Sequence, residues 1–236
     1  MNLNKTKIVA TIGPASSSRS MLSKLISSGV DVFRVNFSHA SHKEVKRIVS
    51  DIKALRIEHK KHVSILGDLQ GPKIRIGSVK EGVILKKNNE IIFSTKKIDA
   101  GDENAVHIGY SLFPKDVKKD EKVLVDDGKL ILKVLNTNKV DEVKLLVLQG
   151  GELRSNKGVN LPNTKISLPA LTEKDILDAK FAVKNSFDWI ALSFVRSKKD
   201  VLMLKDLIMS ETKYPIPVIS KIEKPQAISK LESILK

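Results

Sequence analysis

The run Pro217-Val218-Ile219-Ser220-Lys221-Ile222-Glu223 is a short apolar stretch that predicts a β-strand carrying one cation and one carboxylate. Side chains along a strand alternate between its two faces, so Lys221 and Glu223 share a face. The strand gives way directly afterwards to Lys224-Pro225. An ammonium and a potential metal ligand are therefore expected together at a strand end, and this arrangement recurs along the chain.

Outward from this strand, strands and helices alternate on both sides of a different middle section. The β-branched and apolar runs predict strands over residues 7–13, 32–37, 63–69, 188–195 and 217–223. Helical spacing and start signals predict helices over 21–26, 41–60, 172–185, 197–210 and 226–236. Ser41 and Glu44, three residues apart, have the capping-box pattern that opens such a helix.

The middle section, residues 74–164, breaks this alternation. It predicts short strands separated by turns, and the turn signals lie at 87–89, 126–128, 136–138 and 149–151. We therefore interpret residues 1–73 and 165–236 as one alternating β/α domain, with an inserted, mostly β domain over 74–164.

Alternating strands and helices imply a parallel sheet, which is either open or closed into a barrel. Polar side chains end four of the strands: Arg34, Asn36 and Ser38, then Asp68, then Ser193 and Arg196, then Lys221 and Glu223. The carboxyl ends of barrel strands converge on one mouth, where such enzymes carry out their chemistry. An open doubly wound sheet usually has a glycine-rich phosphate loop after its first strand, and residues 11–16 are not that loop. The fold class is therefore α/β, and the polar strand ends favour a (β/α)8 barrel over an open sheet.

The composition limits the function. The chain has 236 residues, 41% of them hydrophobic, no cysteine and no apolar run long enough for a membrane span, so we expect a cytoplasmic protein without membrane contact. Its net charge is +15, but the lysines are scattered, and one Trp and two Tyr offer few stacking surfaces for bases. We therefore expect anionic substrates rather than nucleic acid as partners.

Five motifs, in order, resemble the successive motifs of the pyruvate kinase family: residues 6–16 (TKIVATIGPAS), 33–39 (FRVNFSH), 67–75 (GDLQGPKIR), 156–162 (NKGVNLP) and 219–223 (ISKIE). They cover nearly the whole chain. The resemblance implies a TIM barrel interrupted after its third strand by a β lid. Residues 1–73 and 165–236 would then be a partial TIM (β/α)8 barrel domain with its first five strands, and 74–164 the inserted lid domain. It also implies a glycolytic phosphotransferase that moves phosphoryl from phosphoenolpyruvate to ADP, giving pyruvate and ATP.

The resemblance assigns roles to the residues at the strand ends. Arg34 would bind the transferring phosphate, and Lys221 would stabilise that phosphate together with the enolate oxygen formed as it leaves. Glu223 would hold Mg²⁺, a hard cation suited to carboxylates. Considered one by one, these residues have simpler explanations, because Lys221 and Glu223 could pair only with each other or with neighbours.

Nucleotide contacts are implied elsewhere. Arg75 and Lys157, both associated with the lid, would meet the phosphates of ADP or ATP, with Asn36 and His39 nearby. Considered alone, His39 could simply make an ordinary polar contact, and Lys157 could be a loop cation that faces water.

The monovalent-cation site departs from one common family pattern. Many pyruvate kinases bind K⁺ with Asn, Ser, Asp and Thr oxygens and carry Glu at the position of Lys73. Asn36, Ser38 and Asp68 remain here, but Leu69 stands at the Thr position and has no side-chain oxygen. Lys73 could place its ammonium where K⁺ would lie. We therefore predict an enzyme that does not require K⁺; the alternative is that Lys73 faces solvent.

Only five of eight barrel strands are recognisable, and we expect the family's C-terminal domain to be absent. The next family strand should carry an Asp that shares Mg²⁺ with Glu223. One hypothesis is therefore the N-terminal half of a working pyruvate kinase, whose full-length relatives form homo-oligomers, usually tetramers. The alternative is a truncated non-catalytic remnant or interaction module. A different phosphoenolpyruvate or pyruvate barrel would explain Lys221 and Glu223 but not the lid motif at 156–162.

Overall fold

The computed structural model describes residues 5–236, which form two compact units, one up to Pro72 together with Pro169–Lys236 and the other Lys73–Leu168. The strands are β1 (Val9–Thr11), β2 (Val32–Asn36), β3 (Ser64–Asp68), β4 (Ile84–Leu85), β5 (Glu90–Ser94), β6 (Ala105–His107), β7 (Lys122–Val125), β8 (Leu130–Thr137), β9 (Glu142–Gln149), β10 (Gly151–Glu152), β11 (Val159–Asn160), β12 (Trp189–Leu192) and β13 (Val218–Ser220). The helices are α1 (Arg19–Ser27), α2 (His42–His59), α3 (Phe113–Asp116), α4 (Glu173–Lys184), α5 (Lys198–Glu211), α6 (Pro225–Ile228) and α7 (Leu231–Leu235), with a 3-10 turn at Pro14–Ser16.

The first unit is a parallel sheet with helices between its strands. Its strand order is β1-β2-β3-β12-β13, and every neighbouring pair is parallel. The sheet curls as half of a barrel. The predicted α/β class with a partial TIM barrel is therefore confirmed.

Helix α2 shows why the helices form where the sequence predicts them. The Ser41 hydroxyl accepts the Glu44 backbone N–H at 3.3 Å, which confirms the predicted cap. At the other end Lys60, with φ of 50°, stops the helix. Its buried face consists of Val45, Ile48, Val49, Ile52 and Leu55, spaced three and four residues apart.

Helix α4 begins with a reciprocal cap. The Thr172 hydroxyl accepts the Asp175 N–H, while the Asp175 carboxylate accepts the Thr172 N–H at 2.9 Å. The other carboxylate oxygen of Asp175 accepts the Gly71 N–H at 3.0 Å. A fully buried carboxylate thus ties the start of α4 to the segment that follows β3.

Several predicted boundaries differ from the structure. The strands predicted over 7–13 and 188–195 span only Val9–Thr11 and Trp189–Leu192, and two further differences have an identifiable cause. Strand β13 ends at Ser220 rather than at Glu223, because β12 turns away after Leu192, whose carbonyl accepts the last ladder bond from the Lys221 N–H. The predicted helix over 226–236 is two short helices, α6 and α7. Its break lies at Ser229 and Lys230, where the Ser229 hydroxyl donates to the Gln226 carbonyl and Lys230 leaves helical geometry.

The second unit is mostly β, as the sequence predicts. Its main sheet has the order β11-β7-β8-β9-β5-β6 and is antiparallel except for the β5–β6 pair, and β10 pairs separately with β4. Asp126, Asp127 and Gly128 all have positive φ and make the tight turn between β7 and β8.

Each unit has its own apolar core. In the first unit it lies between the sheet and its helices and includes the fully buried Leu22, Ile26 and Phe33. In the second it includes Phe93, Phe113 and Leu132. Within residues 5–236 no helix is both long and apolar enough to cross a membrane.

Candidate functional site

Strand register brings the predicted strand-end residues of the first unit to one edge of the sheet. Asn36 pairs with Asp68, and Asp68 pairs with Ala191 on the next strand. Leu192 pairs in turn with Ser220 on β13. Because parallel strands in register end together, the side chains just beyond these pairs lie within reach of each other.

Asp68 is the centre of this group. Its Oδ2 accepts a hydrogen bond from Arg34 Nε at 2.8 Å, and its Oδ1 lies 3.2 Å from Lys221 Nζ. The carboxylate is only 5% exposed, whereas the Arg34 and Lys221 side chains are 28% and 29% exposed. A buried carboxylate therefore holds two cations whose charged ends remain open to a ligand.

Lys221 is fixed by two further oxygens. Its ammonium donates to the Ser193 hydroxyl at 2.8 Å and lies 3.4 Å from Glu223 Oε1. Ser193 is buried, and its own hydroxyl donates to the Leu69 carbonyl at 2.7 Å. Lys221 and Glu223 are thus neighbours as predicted, although both lie just beyond the strand.

Glu223 is the exposed acid of the group. Its Oε2 accepts the backbone N–H of Phe194 at 3.0 Å, and its side chain is 36% exposed. Among residues 5–236 no group of three or more His, Cys, Asp or Glu side chains could hold a metal ion. A cation at Glu223 would need substrate oxygens and water as further ligands, which suits Mg²⁺ because it is commonly held by one or two carboxylates plus phosphate oxygens. The chemistry of this donor therefore fits Mg²⁺.

Lys224, next to this acid, has an unusual environment. Its ammonium lies 5.4 Å from the centre of the Phe194 ring. Burial lowers the pKa of Lys224, the nearby Arg196 charge lowers it further, and Glu223 opposes both effects.

A cavity of about 390 Å³ lies beside Asn36 and His39 and is walled by residues of the 3-10 turn and of α2. Its lining includes the apolar Ile12, Pro14 and Val45. This volume and mixed lining are typical of a pocket for a small organic ligand. The Asn36 side-chain oxygen accepts the Ser38 N–H at 3.0 Å, so it is already engaged.

Three cations gather within the second unit. Arg75 pairs with Gly158 across a β-bridge and donates from Nη1 to the Asn156 carbonyl at 2.8 Å. Lys157 lies between those two residues, and its ammonium is 3.0 Å from Asp126. Lys73 is exposed, and its Cε is 4.0 Å from where a Cβ on Gly158 would lie. The pKa of the Asp126 carboxyl is held below its ordinary value first by Lys129 and then by Lys157.

Two of the residues expected around a monovalent cation, Asn36 and Asp68, have contacts within the first unit. Asp68 contacts Arg34 and Lys221. The Leu69 side chain is buried in the core, and its carbonyl oxygen accepts a hydrogen bond from the Ser193 hydroxyl.

Sequence reasoning left out two contacts of the group. Thr11 accepts from Arg34 Nη1 at 2.8 Å, and Ser193 accepts from Lys221. Ser193 had a usable signal, since it is a polar residue at the end of a predicted strand. For Thr11 the only signal in the sequence was its position at the end of a strand, because its partner Arg34 lies 23 residues away.

Comparisons with known proteins find relatives of one kind. The family model described as "Pyruvate kinase, barrel domain" matches residues 3–236. The pyruvate kinase of Staphylococcus aureus strain MRSA252 is 43% identical over 235 residues, which is 99% of this chain and 40% of that protein. The pyruvate kinase of strain USA300 is 42% identical over the same length. The chain therefore spans about 40% of the length of these relatives.

Proposed function

The chain belongs to the pyruvate kinase family, and on that premise we propose that it carries the phosphoenolpyruvate end of an active site that transfers phosphoryl to ADP, giving pyruvate and ATP. The observation that carries the proposal is the convergence of Arg34, Asp68, Lys221 and Glu223 at the carboxyl edge of one parallel sheet. Phosphoryl transfer depends mainly on positioning and charge neutralisation, which this group offers.

Arg34 binds the transferring phosphoryl group. A guanidinium has five N–H donors, and Arg34 directs Nε and one Nη2 hydrogen to Asp68 and one Nη1 hydrogen to Thr11. Two donors remain for phosphate oxygens. Asp68 and Thr11 therefore orient the guanidinium without exhausting it, and phosphate recognition by such a planar donor set is favourable.

Lys221 neutralises the charge that develops. When the bond between phosphorus and the substrate C2 oxygen breaks, its electron pair stays on that oxygen as an enolate, which then takes a proton at C3 to become pyruvate. An ammonium fixed by Ser193 and Asp68 can stabilise this oxygen and the phosphoryl group together. Its 3.4 Å contact to the exposed Glu223 is the one most easily exchanged for substrate.

Glu223 would hold Mg²⁺ through Oε1, the oxygen that does not accept the Phe194 N–H. Mg²⁺ there would supply positive charge to the phosphoryl oxygens. The protein's part is to present one oriented carboxylate and leave the remaining positions to substrate and water.

Each unit offers residues suited to one part of a nucleotide. The cavity beside Asn36 and His39 accepts the nucleoside, because its apolar wall suits a base and its polar rim a ribose. Arg75 and Lys157 contribute positive charge to the nucleotide phosphates. Their shared attachment to residues 156–158 keeps them together within the second unit.

We further propose that K⁺ is not required, with the Lys73 ammonium supplying the monovalent charge. The support is the position of Lys73, which is exposed and lies beside Gly158, next to Arg75 and Lys157. Homo-oligomerisation stays a prediction from the family resemblance, and a cytoplasmic location stays a prediction from the composition.

The proposal is tested by a lactate-dehydrogenase-coupled assay of the purified protein with phosphoenolpyruvate, ADP and Mg²⁺. We expect Lys221→Met to reduce turnover by about 10²–10³-fold, as removal of one preorganised charge-stabilising donor does. Isothermal titration calorimetry with phosphoenolpyruvate and Mg²⁺ measures binding independently of turnover. If wild-type protein and Lys221→Met bind and turn over alike, the proposed role of this edge is wrong.

A further inference from the structure

Phe194 has a backbone conformation that phenylalanine rarely adopts. Its φ is +56°, in the left-handed region, where Cβ crowds the following carbonyl oxygen. Among residues 5–236 the other non-glycine residues with positive φ are Lys, Asn, Asp and Ser, so Phe194 is the one aromatic among those described. Strained residues tend to persist where surrounding structure and function require them.

The left-handed turn allows two arrangements at once. It follows β12 directly and lets the Phe194 N–H face Glu223 Oε2 at 3.0 Å. From there the chain continues into Val195, which is fully buried in the core. The φ angle sets the direction of the N–H relative to the chain that follows. An extended φ could therefore not keep the Phe194 N–H on Glu223 and Val195 in the core together.

The ring of Phe194 packs against Gly71. A Cβ on Gly71 would lie 3.0 Å from Phe194 Cδ2, so the ring rests against a residue that has no side chain. Gly71 is itself held by its N–H bond to the buried Asp175 at the start of α4. The Lys224 ammonium, 5.4 Å from the ring centre, adds a cation–π contact. Gly71 and Lys224 therefore both contact the ring of the strained residue.

We propose that Phe194 is a positioning residue for Glu223: its left-handed backbone aims the N–H at Oε2 and so turns Oε1 toward Lys221 and the metal position. The metal part of this inference rests on the proposed function. Ser193, the preceding residue of the same turn, contacts Lys221, so one two-residue turn orients both the cation and the acid. Groups that orient metal ligands in this way typically change metal affinity 10–100-fold when mutated.

The first experiment separates the backbone from the ring. Phe194→Gly keeps the N–H and accepts positive φ without strain, whereas Phe194→Val is β-branched and disfavours it. The probe is Mn²⁺, whose free and bound forms are distinguished by electron paramagnetic resonance. We expect Phe194→Val to weaken Mn²⁺ binding at least tenfold and Phe194→Gly to stay within threefold of wild type.

Lys60→Val is the matched control. Lys60 also has positive φ, at the end of α2, but it has no contact with Glu223. We expect this variant to lose thermal stability while keeping wild-type Mn²⁺ affinity. Equal affinity in Phe194→Val and wild type overturns the inference, and so does an equal loss in Phe194→Gly and Phe194→Val, because that result assigns the effect to the ring.

A second readout does not depend on metal. Amide hydrogen exchange of Phe194, followed by NMR, should become at least tenfold faster in Glu223→Ala, because the acceptor of its N–H is removed. The Lys221 amide, bonded to the Leu192 carbonyl at 3.0 Å, should keep its protection. Unchanged Phe194 exchange overturns the inference. If wild-type protein binds no Mn²⁺ while Phe194 exchange depends on Glu223, the positioning holds and the proposed metal role of Glu223 fails.

Discussion

Arg34, within β2, and Asp68, the last residue of the neighbouring parallel strand β3, are joined by a 2.8 Å hydrogen bond from Nε to Oδ2. The carboxylate is almost fully buried, while more than a quarter of the guanidinium side chain is exposed. Asp68 also lies against Lys221, so a single buried negative charge balances two cations. The predicted phosphate-binding residue is thus held by a residue predicted for a different, monovalent-cation role.

Replacing Asp68 should destabilise the first unit. In Asp68→Asn two partly buried cations lose their charge partner, and breaking such a buried pair costs on the order of 3 kcal/mol. Urea unfolding, followed by fluorescence of the single tryptophan, Trp189, reports on the same unit. The control is Asp206→Asn, at an exposed position of α5, with an expected change below about 0.5 kcal/mol. Equal unfolding midpoints for the two variants would contradict the role of Asp68.

Gly67, in the middle of β3, should not tolerate a methyl group. A Cβ there would lie 2.9 Å from Phe37 Cε2 and 3.1 Å from Phe187 Cδ1, both rings of the core. Gly67→Ala is expected to cost about 1–3 kcal/mol through overpacking. Gly13→Ala is the control, because nothing lies within 4 Å of its Cβ. Thermal unfolding of both variants measures the difference, and a Gly67→Ala protein as stable as Gly13→Ala would show that the rings move aside.

Through Asp31, the stability of the folded protein should depend on pH in the acidic range. Its carboxylate accepts the Ile8 N–H at 2.9 Å and contacts the Lys7 ammonium at 3.0 Å. The Ile8 bond first, and then Lys7, lower the pKa of Asp31 below its ordinary value of 3.8. Because the folded pKa is lowered, the stabilisation is fully present above about pH 4 and is lost as pH falls through the lowered value.

The measurement compares wild type with Asp31→Asn. We expect wild type to unfold at a higher temperature at pH 7 and the difference to shrink toward zero near pH 2. A difference that stays constant over this range would mean that the charge of Asp31 does not contribute to stability.

Turnover should not depend on K⁺. We expect similar coupled-assay rates with Na⁺ or K⁺ as the added salt, because the Lys73 ammonium supplies the monovalent charge. Lys73→Glu removes it and should create a K⁺ requirement. Lys119→Glu makes the same change of net charge at another exposed position of the second unit and should not. A strong K⁺ requirement in wild type would refute the prediction.

Much of the fold could be predicted because its signals are local. The capping residues Ser41 and Thr172, and the apolar spacing of α2, fix helices through contacts within one or two turns. The boundaries that were wrong depend on partners instead. Strand β13 ends at Ser220 because β12 turns away, and no local pattern at Ile222 reveals that.

The candidate site could be predicted in its membership but not in its connections. Strand-end position selected Arg34, Asp68, Lys221 and Glu223, since strand ends meet on one edge in a parallel barrel. Which of them pair depends on sheet register and side-chain reach. That is why Asp68 was placed with Asn36 and Ser38 rather than with the two cations.

By itself the sequence determined the α/β class, the β-rich insertion and the polar strand ends, because alternation, caps and turns act over a few residues. Only the tertiary structure decided that Asp68 joins Arg34 to Lys221 across 34 and 153 residues of chain, and that the Ser193–Phe194 turn meets Lys221 and Glu223. Such contacts follow from packing that brings distant segments together, and the left-handed backbone of Phe194 is held by that packing against its local preference.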